Sequence, residues 1–209
     1  MGYDVLIIPR LSTLAPYVNS HPDMILCKIG DRVVVNKNYY FENSELFRDV
    51  SVIPTDSIPA LKYPSDVTMN GLVLGDTVYG RVDVLCSEIL NACTKKVFVK
   101  QGYAACSCAV VAENAVITAD KSLYNALTKN KVEVCLVKCG NILLEGCDYG
   151  FVGGASVKIN DSTLAFFGKI EEHPDYERMR DFAAGFGVSL LSLSDEPLTD
   201  CGGGFLYER

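Results

Sequence analysis

Hydrophobic and polar positions in this chain alternate in a block that recurs. Each block predicts a strand, a tight turn, a second strand, a helix and a third strand. The first runs Met24 to Ile29, turn Gly30-Asp31, Arg32 to Val35, a helix over Phe41 to Asp49, and Val50 to Ile53. The second runs Thr68 to Leu74, turn Gly75-Asp76, Thr77 to Tyr79, a helix over Asp83 to Cys93, and Lys96 to Val99. The third runs Cys106 to Ala112, turn Glu113-Asn114, Ala115 to Thr118, a helix over Lys121 to Lys129, and Val132 to Val137. The fourth runs Ala155 to Ile159, turn Asn160-Asp161, Thr163 to Phe167, a helix over Asp175 to Phe186, and Val188 to Leu191. The turn residues are Gly, Asp and Asn, which tolerate the left-handed backbone of two-residue hairpins. Asp120, Asn130, Pro174 and Gly187 supply helix start and stop signals.

Repetition of one unit implies a ring or array. A fifth unit reads as split: Cys201 to Tyr207 as its first strand, Tyr3 to Ile8 as its last. Pairing the chain ends would close the ring and remove two sheet edges. The expectation is one domain over residues 1–209, with five pseudo-repeats of ββαβ type and an incomplete fifth. An open α/β layer protein would give similar spacing.

Composition narrows the function classes. A formal net charge of −7 argues against a nucleic-acid or anionic-membrane partner, because both require a basic face. No apolar run reaches the roughly 20 residues of a membrane span. The N-terminus lacks a basic start followed by a long apolar stretch. Nine cysteines without an export signal predict a reducing, cytoplasmic setting and free thiols. Cys106/Cys108 and Cys135/Cys139 are close pairs without zinc-finger spacing, and the chain has two histidines, so no metal site is expected.

Candidate chemistry gathers where strands begin. Cys106 and Cys108, one residue apart, would face one side of a strand, beside the small residues Gly102, Ala104 and Ala105. That suits a reactive thiol, and equally two inert core cysteines. His21 precedes the first strand of its unit as Cys106 does in the third. A cysteine beside a histidine can form a thiolate–imidazolium pair, nucleophile and general acid together. Asp23 could orient that imidazole or hold a cationic group. Asp66 and Asn70 offer polar groups at the start of the second unit. Gly153-Gly154 and Cys201-Gly202-Gly203-Gly204 are glycine-rich approaches where a ligand or another backbone can come close. His173 reads as a surface helix cap. Cys27, Cys86, Cys93 and Cys135 fall in apolar periodic segments and read as core.

These residues carry a resemblance to the pentein, or guanidino-group-modifying-enzyme, superfamily, a fivefold pseudo-symmetric α/β propeller. Residues 21–35, beginning His21-Pro-Asp23, are similar to its catalytic histidine strand and hairpin. Gly102-Tyr-Ala-Ala-Cys106 is similar to the Gly-x-x-x-Cys bearing its nucleophile. Residues 148–156 and 195–204 resemble two further approach segments. The order is circularly permuted relative to the dimethylarginine dimethylaminohydrolase type. The resemblance implies Cys106 as nucleophile and His21 as acid and base. Asp200 is implied as the catalytic acid, and an ungapped match puts Cys201 there instead. It also implies Asp23, Asp66, Asn70, Gly153, Gly154 and Cys201 around the substrate. The chain departs from the family at Gly153-Gly154, where acids usually grip the guanidinium.

The implied activity is a cysteine-dependent hydrolase or transferase of a small amidine-like or other C–N substrate, without metal or organic cofactor. A homodimer could complete the fifth unit. The alternative is a non-catalytic ligand- or protein-binding module on the same scaffold.

Overall fold

The computed structural model describes residues 5–207. Four three-stranded sheets occur in succession. The first holds β1 (Leu26–Ile29), β2 (Arg32–Asn36) and β3 (Ser51–Thr55); the second β4 (Leu72–Leu74), β5 (Thr77–Gly80) and β6 (Lys95–Phe98). The third holds β7 (Cys108–Ala112), β8 (Ala115–Thr118) and β9 (Glu133–Leu136); the fourth β10 (Ser156–Asn160), β11 (Thr163–Phe166) and β12 (Ser189–Ser192). In each, the first two strands pair antiparallel and the third lies parallel to the second. A parallel return needs a crossover, and a helix supplies it: α2 (Lys37–Glu42), α3 (Ser87–Ala92), α4 (Lys121–Lys129) and α5 (Tyr176–Ala184), after a short α1 at Pro22–Ile25.

The middle strand of each unit is its most buried. Val33, Val34 and Val35 on β2, Ala115, Val116 and Ile117 on β8, and Leu164, Ala165 and Phe166 on β11 are essentially inaccessible. Such two-faced burial requires continuous apolar runs rather than alternation. The apolar clusters lie between successive sheets. Cys27 and Val34 meet Met69, Val78 and Ile89; Leu72 and Tyr79 meet Cys108, Val116 and Leu123; Ala109, Ile117 and Cys135 meet Phe166, Ile170 and Met179.

Several expected boundaries move. The hairpins at Gly30 and Gly75 use a left-handed glycine (φ +57° and +56°). The hairpins at Glu113-Asn114 and Asn160-Asp161 instead absorb the turn in a register shift on β7 and β10. The first-unit helix occupies 37–42 and is followed by a 3-10 turn at Ser44–Phe47. In the second unit residues 81–85 form a hydrogen-bonded turn, so α3 begins only at Ser87. The first strands of the units begin two to four residues later than expected in the first three, because the apolar residues ahead of them lie in α1 (Met24-Ile25), in a 3-10 segment and the turn after it (Val67–Met69), and in the turn at Ala104–Cys106.

The expected fifth-unit strands are not formed among the described residues. Residues 201–207 and 5–10 carry no strand assignment, and Tyr3 and Asp4 lie outside the described residues. The two ends nevertheless meet. Val5, Leu6 and Ile8 share an apolar cavity of about 350 Å³ with Phe205, Leu206 and Tyr207. No helix of the described residues is long and apolar enough to cross a membrane.

Asp120 caps α4: its carboxylate accepts from the Leu123 N–H at 2.8 Å and the Ser122 hydroxyl at 2.6 Å, and it also accepts from Gln101 Nε2 ahead of Cys106. Asp120→Ala should lower stability by about 1 kcal/mol or somewhat more, read as a reduced urea midpoint at unchanged slope.

Candidate active site

The segments leading into the sheets converge on one point, and two side chains tie them. Asn70, fully buried before β4, donates from Nδ2 to the Asp23 carbonyl (2.8 Å), to Met24 Sδ (3.3 Å) and to Cys106 Sγ (2.9 Å). Its Oδ1 accepts from the Ala105 and Cys106 N–H groups at 2.9 and 3.3 Å. Asp200, 4 % exposed, accepts from Phe151 N–H (2.8 Å) and Gly202 N–H (2.9 Å). Its Oδ1 lies 3.7 Å from His21 Nδ1. The third and fourth units are joined directly by Gly154 N–H to the Cys106 carbonyl at 2.9 Å.

Glycine makes this crowding possible. A Cβ on Gly154 would stand 2.0 Å from Asp200 Oδ1. One on Gly153 would stand 2.4 Å from the Ala105 carbonyl oxygen, and one on Gly202 (φ +78°) would stand 2.3 Å from His21 Cβ. The space at Gly153-Gly154, expected to face substrate, is filled by the Cys106 turn and by Asp200. The backbone alternative for those glycines is the one observed.

Other expected positions are also revised. Cys106 lies in a turn and β7 begins only at Cys108, so the two do not share a strand face. Cys106 packs with the first-unit core, Cys108 with the cluster between the second and third sheets. Asp200, not Cys201, is the buried residue beside His21; Cys201 is exposed. Gly202 and Gly203, directly after Cys201, both have left-handed backbone (φ +78° and +70°). Asp66 is buried and accepts from the Tyr103 hydroxyl at 2.6 Å. His173 ends the 3-10 turn Ile170–Glu172 just before α5, whose N-cap is Asp175; its Nδ1 accepts from Asp175 N–H at 3.1 Å, and it is buried, not a surface residue.

His21, Cys106 and Asp200 line one cavity of about 440 Å³, with Tyr103 and Phe151 on its wall. These two rings are stacked, centroids 5.8 Å apart. Sequence reasoning missed the rest of the lining: Tyr17, Cys147, Asp148 and Tyr149 come from loops without periodicity. Their only signal was the aromatic and acidic content of segment 148–151. Asp23 and Gly153 instead line a second cavity of about 490 Å³ behind this layer. Asn70 lines neither.

Burial sets the electrostatics. It lowers the His21 imidazole below its ordinary value, with Asp200 partly opposing, so His21 is neutral at pH 7. It pushes the Cys106 thiol well up; Asp23 and Asp200 push the same way and the Asn70 amide opposes. Asp23 is raised to about 7 by burial first and by Asp200 second. Asp200 is raised by burial, against the Phe151 and Gly202 N–H groups and His21. No hydrogen bond joins His21 to Cys106 among the described residues. The resting state is thus a neutral thiol and a neutral imidazole, rather than the expected ion pair.

Residues 1–205 match the family described as "Family of unknown function (DUF6873)". The chain belongs to that family. No curated protein sequence matches it. Solved structures do. A dimethylarginine dimethylaminohydrolase, determined as an adduct with 4-chloro-2-hydroxymethylpyridine, aligns over 83 % of this chain and 70 % of its own at 11 % identity and TM-score 0.50. Agmatine deiminase from C. jejuni aligns over 79 % of this chain and 63 % of its own, under two thirds of its length, at 10 % identity and TM-score 0.49. Pseudomonas aeruginosa dimethylarginine dimethylaminohydrolase, a cysteine-to-serine variant complexed with citrulline, gives 84 %, 69 %, 10 % and 0.49. These proteins are pentein-superfamily members, and the likeness is one of fold.

Two outcomes follow from the crowded layer. Gly154→Ala must displace the hydrogen-bonded Asp200 and should cost about 1–3 kcal/mol in urea unfolding; an unchanged midpoint would contradict the packing. Asp23 has a folded value above its unfolded one, so its contribution is fully present below about pH 4 and is lost as pH rises through about 7. Asp23→Asn should therefore gain stability relative to wild type between pH 4 and 7.5, at up to roughly 1.4 kcal/mol per pH unit. Parallel urea titrations at several pH values check this.

Proposed function

We propose that this protein is a cysteine-dependent hydrolase or transferase acting on a small amidine- or guanidine-like C–N substrate. In this reading Cys106 is the nucleophile, His21 the proton carrier and Asp200 the group that orients it. The four sheets and the chain ends form a five-unit ring, permuted relative to dimethylarginine dimethylaminohydrolase, acting as one domain.

The observation that carries the reading is the make-up of the 440 Å³ cavity. It combines a thiol, an imidazole backed by a carboxylate, a second carboxylate at Asp148 and the rings of Tyr17, Tyr103, Tyr149 and Phe151, with no lysine or arginine on its wall among the described residues. Such a lining suits a flat cation, which aromatic faces and carboxylates both attract. Asp148 supplies an acid that the Gly153-Gly154 segment lacks.

The chemistry starts from neutral groups. A bound amidinium offsets the negative field of Asp23 and Asp200, so the thiol can lose its proton. His21 takes that proton, through a water or the substrate because no direct hydrogen bond joins it to Cys106. The thiolate attacks the amidine carbon and forms a C–S bond. The C–N bond then breaks as the imidazolium returns the proton to the leaving amine, giving a thiouronium-type intermediate. Water adds with His21 as base, the C–S bond breaks, and the thiol is restored. In a transferase a second amine replaces water.

A non-catalytic binding module remains the second reading. It is favoured by a thiol with a raised proton affinity and by glycines in place of the gripping acids.

Agmatine, arginine and methylated arginines, supplied separately, should reveal release of ammonia, methylamine or dimethylamine. Cys106→Ala and His21→Ala should each lose about a thousandfold or more in kcat, and acid quenching should trap a mass adduct on Cys106. Release undiminished in Cys106→Ala would sink the nucleophile assignment. Calorimetric binding of a guanidino compound without any release would select the module.

A further inference from the structure

The second cavity, about 490 Å³, belongs to no step above. It lies along the first strands of the hairpins, with Asp23 among its lining residues, Lys28 and Lys158 contributed from those strands and Glu113 from the β7–β8 turn. Asp23 is 6 % exposed, and its Oδ1 has no hydrogen-bond partner. Its Oδ2 lies on the side of Gly203, which also lines this cavity; a Cβ there would stand 3.9 Å from it. A buried carboxylate short of donors is costly, and an ammonium brought against Oδ2 from this cavity would lower that cost.

The two lysines carry the opposite need. Lys28 Nζ donates to the Leu206 carbonyl at 2.9 Å and stands 5.0 Å from the centroid of the Tyr207 ring. Lys158 Nζ donates to the carbonyls of Val111 and Asp161. Neither ammonium is in an ion pair with a carboxylate among the described residues. Carbonyl dipoles solvate both charges, and the Asp161 carboxylate acts on Lys158 from beyond ion-pair distance. The remaining charged side chain of the lining, Glu113, is exposed.

We propose that this cavity is a second ligand site, distinct from the Cys106 cavity, for a small molecule with an ammonium at one end and a carboxylate at the other. The ammonium pairs with Asp23 and the carboxylate with Lys28 and Lys158. Unsatisfied acceptor and unpaired cations thereby select one ligand class, which neither a simple amine nor a simple carboxylate matches.

Occupancy acts on the other cavity through Asp23, whose carboxyl group meets the Cys106 thiol. An ammonium held by Asp23 offsets the negative charge that keeps the thiol protonated. Binding behind the layer therefore makes Cys106 more reactive in front of it. The binding claim stands whether or not the protein is an enzyme.

Calorimetry with unbranched ω-amino acids from glycine to 6-aminohexanoate, with butylamine and butyrate as monofunctional controls, tests the site. At least one member should bind tenfold or more tighter than both controls. Lys28→Met/Lys158→Met should lose that preference at least tenfold, with wild-type melting temperature confirming the fold; Asp23→Asn should lose it too. Iodoacetamide alkylation of Cys106, followed by peptide mass mapping, should accelerate severalfold when that member is bound, and not in Asp23→Asn. Binding by no member, or butylamine binding as well as the best of them, would overturn the site. Binding that leaves the Cys106 rate unchanged would overturn the coupling. Neither readout uses turnover, so failure here is separate from failure of the hydrolase reading.

Discussion

The structure depends on two polar side chains held where water is excluded. Asn70 binds the approach segments of the first and third units to its own, and Asp200 binds those of the fourth unit and the C-terminal segment to His21. The Gly154–Cys106 backbone bond joins the remaining neighbours. Segments far apart in sequence are thereby fixed to one layer without regular secondary structure. The apolar clusters between sheets supply most of the cohesion, since buried area scales with them. They are non-directional, however, and would tolerate small rotations of one sheet against the next. Hydrogen bonds with fixed geometry remove that freedom.

The same layer explains the glycines. Gly153, Gly154 and Gly202 sit where a methyl group would strike a carbonyl, a carboxylate or the His21 backbone. A side chain that gripped substrate from those positions would have no room while Asp200 stays where it is. The glycines at 153 and 154 and the burial of Asp200 are thus one structural arrangement. The Asp148 carboxylate and the aromatic rings lie on the loop side of the cavity.

Much of the fold was legible in the periodicity, and the exceptions share a cause. The β8 strand and the α4 helix fall where a continuous run with β-branched residues and the Asp120 cap put them. Strand starts were misjudged at Met24, Thr68 and Cys106 because segments that turn at a buried centre are as apolar as strands. Hydrophobicity reports burial, and it reports extension only when the backbone also leaves water through a sheet. Pairing of His21 with Asp200 was reachable in principle, since both precede similar segments. Its register was hidden by Gly202 and Gly203, whose left-handed backbone breaks the alternation that a strand would impose. Tyr17 was invisible, and Asp148 and Tyr149 received no role although their segment was singled out, because loop residues meet by tertiary placement, which no local period encodes.

A thiol surrounded by two carboxylates looks ill suited to attack. The objection weakens once both partners are considered together. Burial keeps His21 neutral and Cys106 protonated, so the pair carries no net charge at rest. Moving one proton from sulfur to imidazole creates an ion pair whose cost is high in a dry cavity and falls when a cation lies beside the sulfur. A neutral ligand would leave that cost in place. In the proposed reaction, negative charge around Cys106 therefore acts as a filter that disfavours neutral electrophiles and favours a positively charged one. Such a filter needs immobile, poorly hydrated carboxylates: both are buried, the Phe151 and Gly202 N–H groups fix the Asp200 carboxylate, and Asn70 fixes the Asp23 backbone.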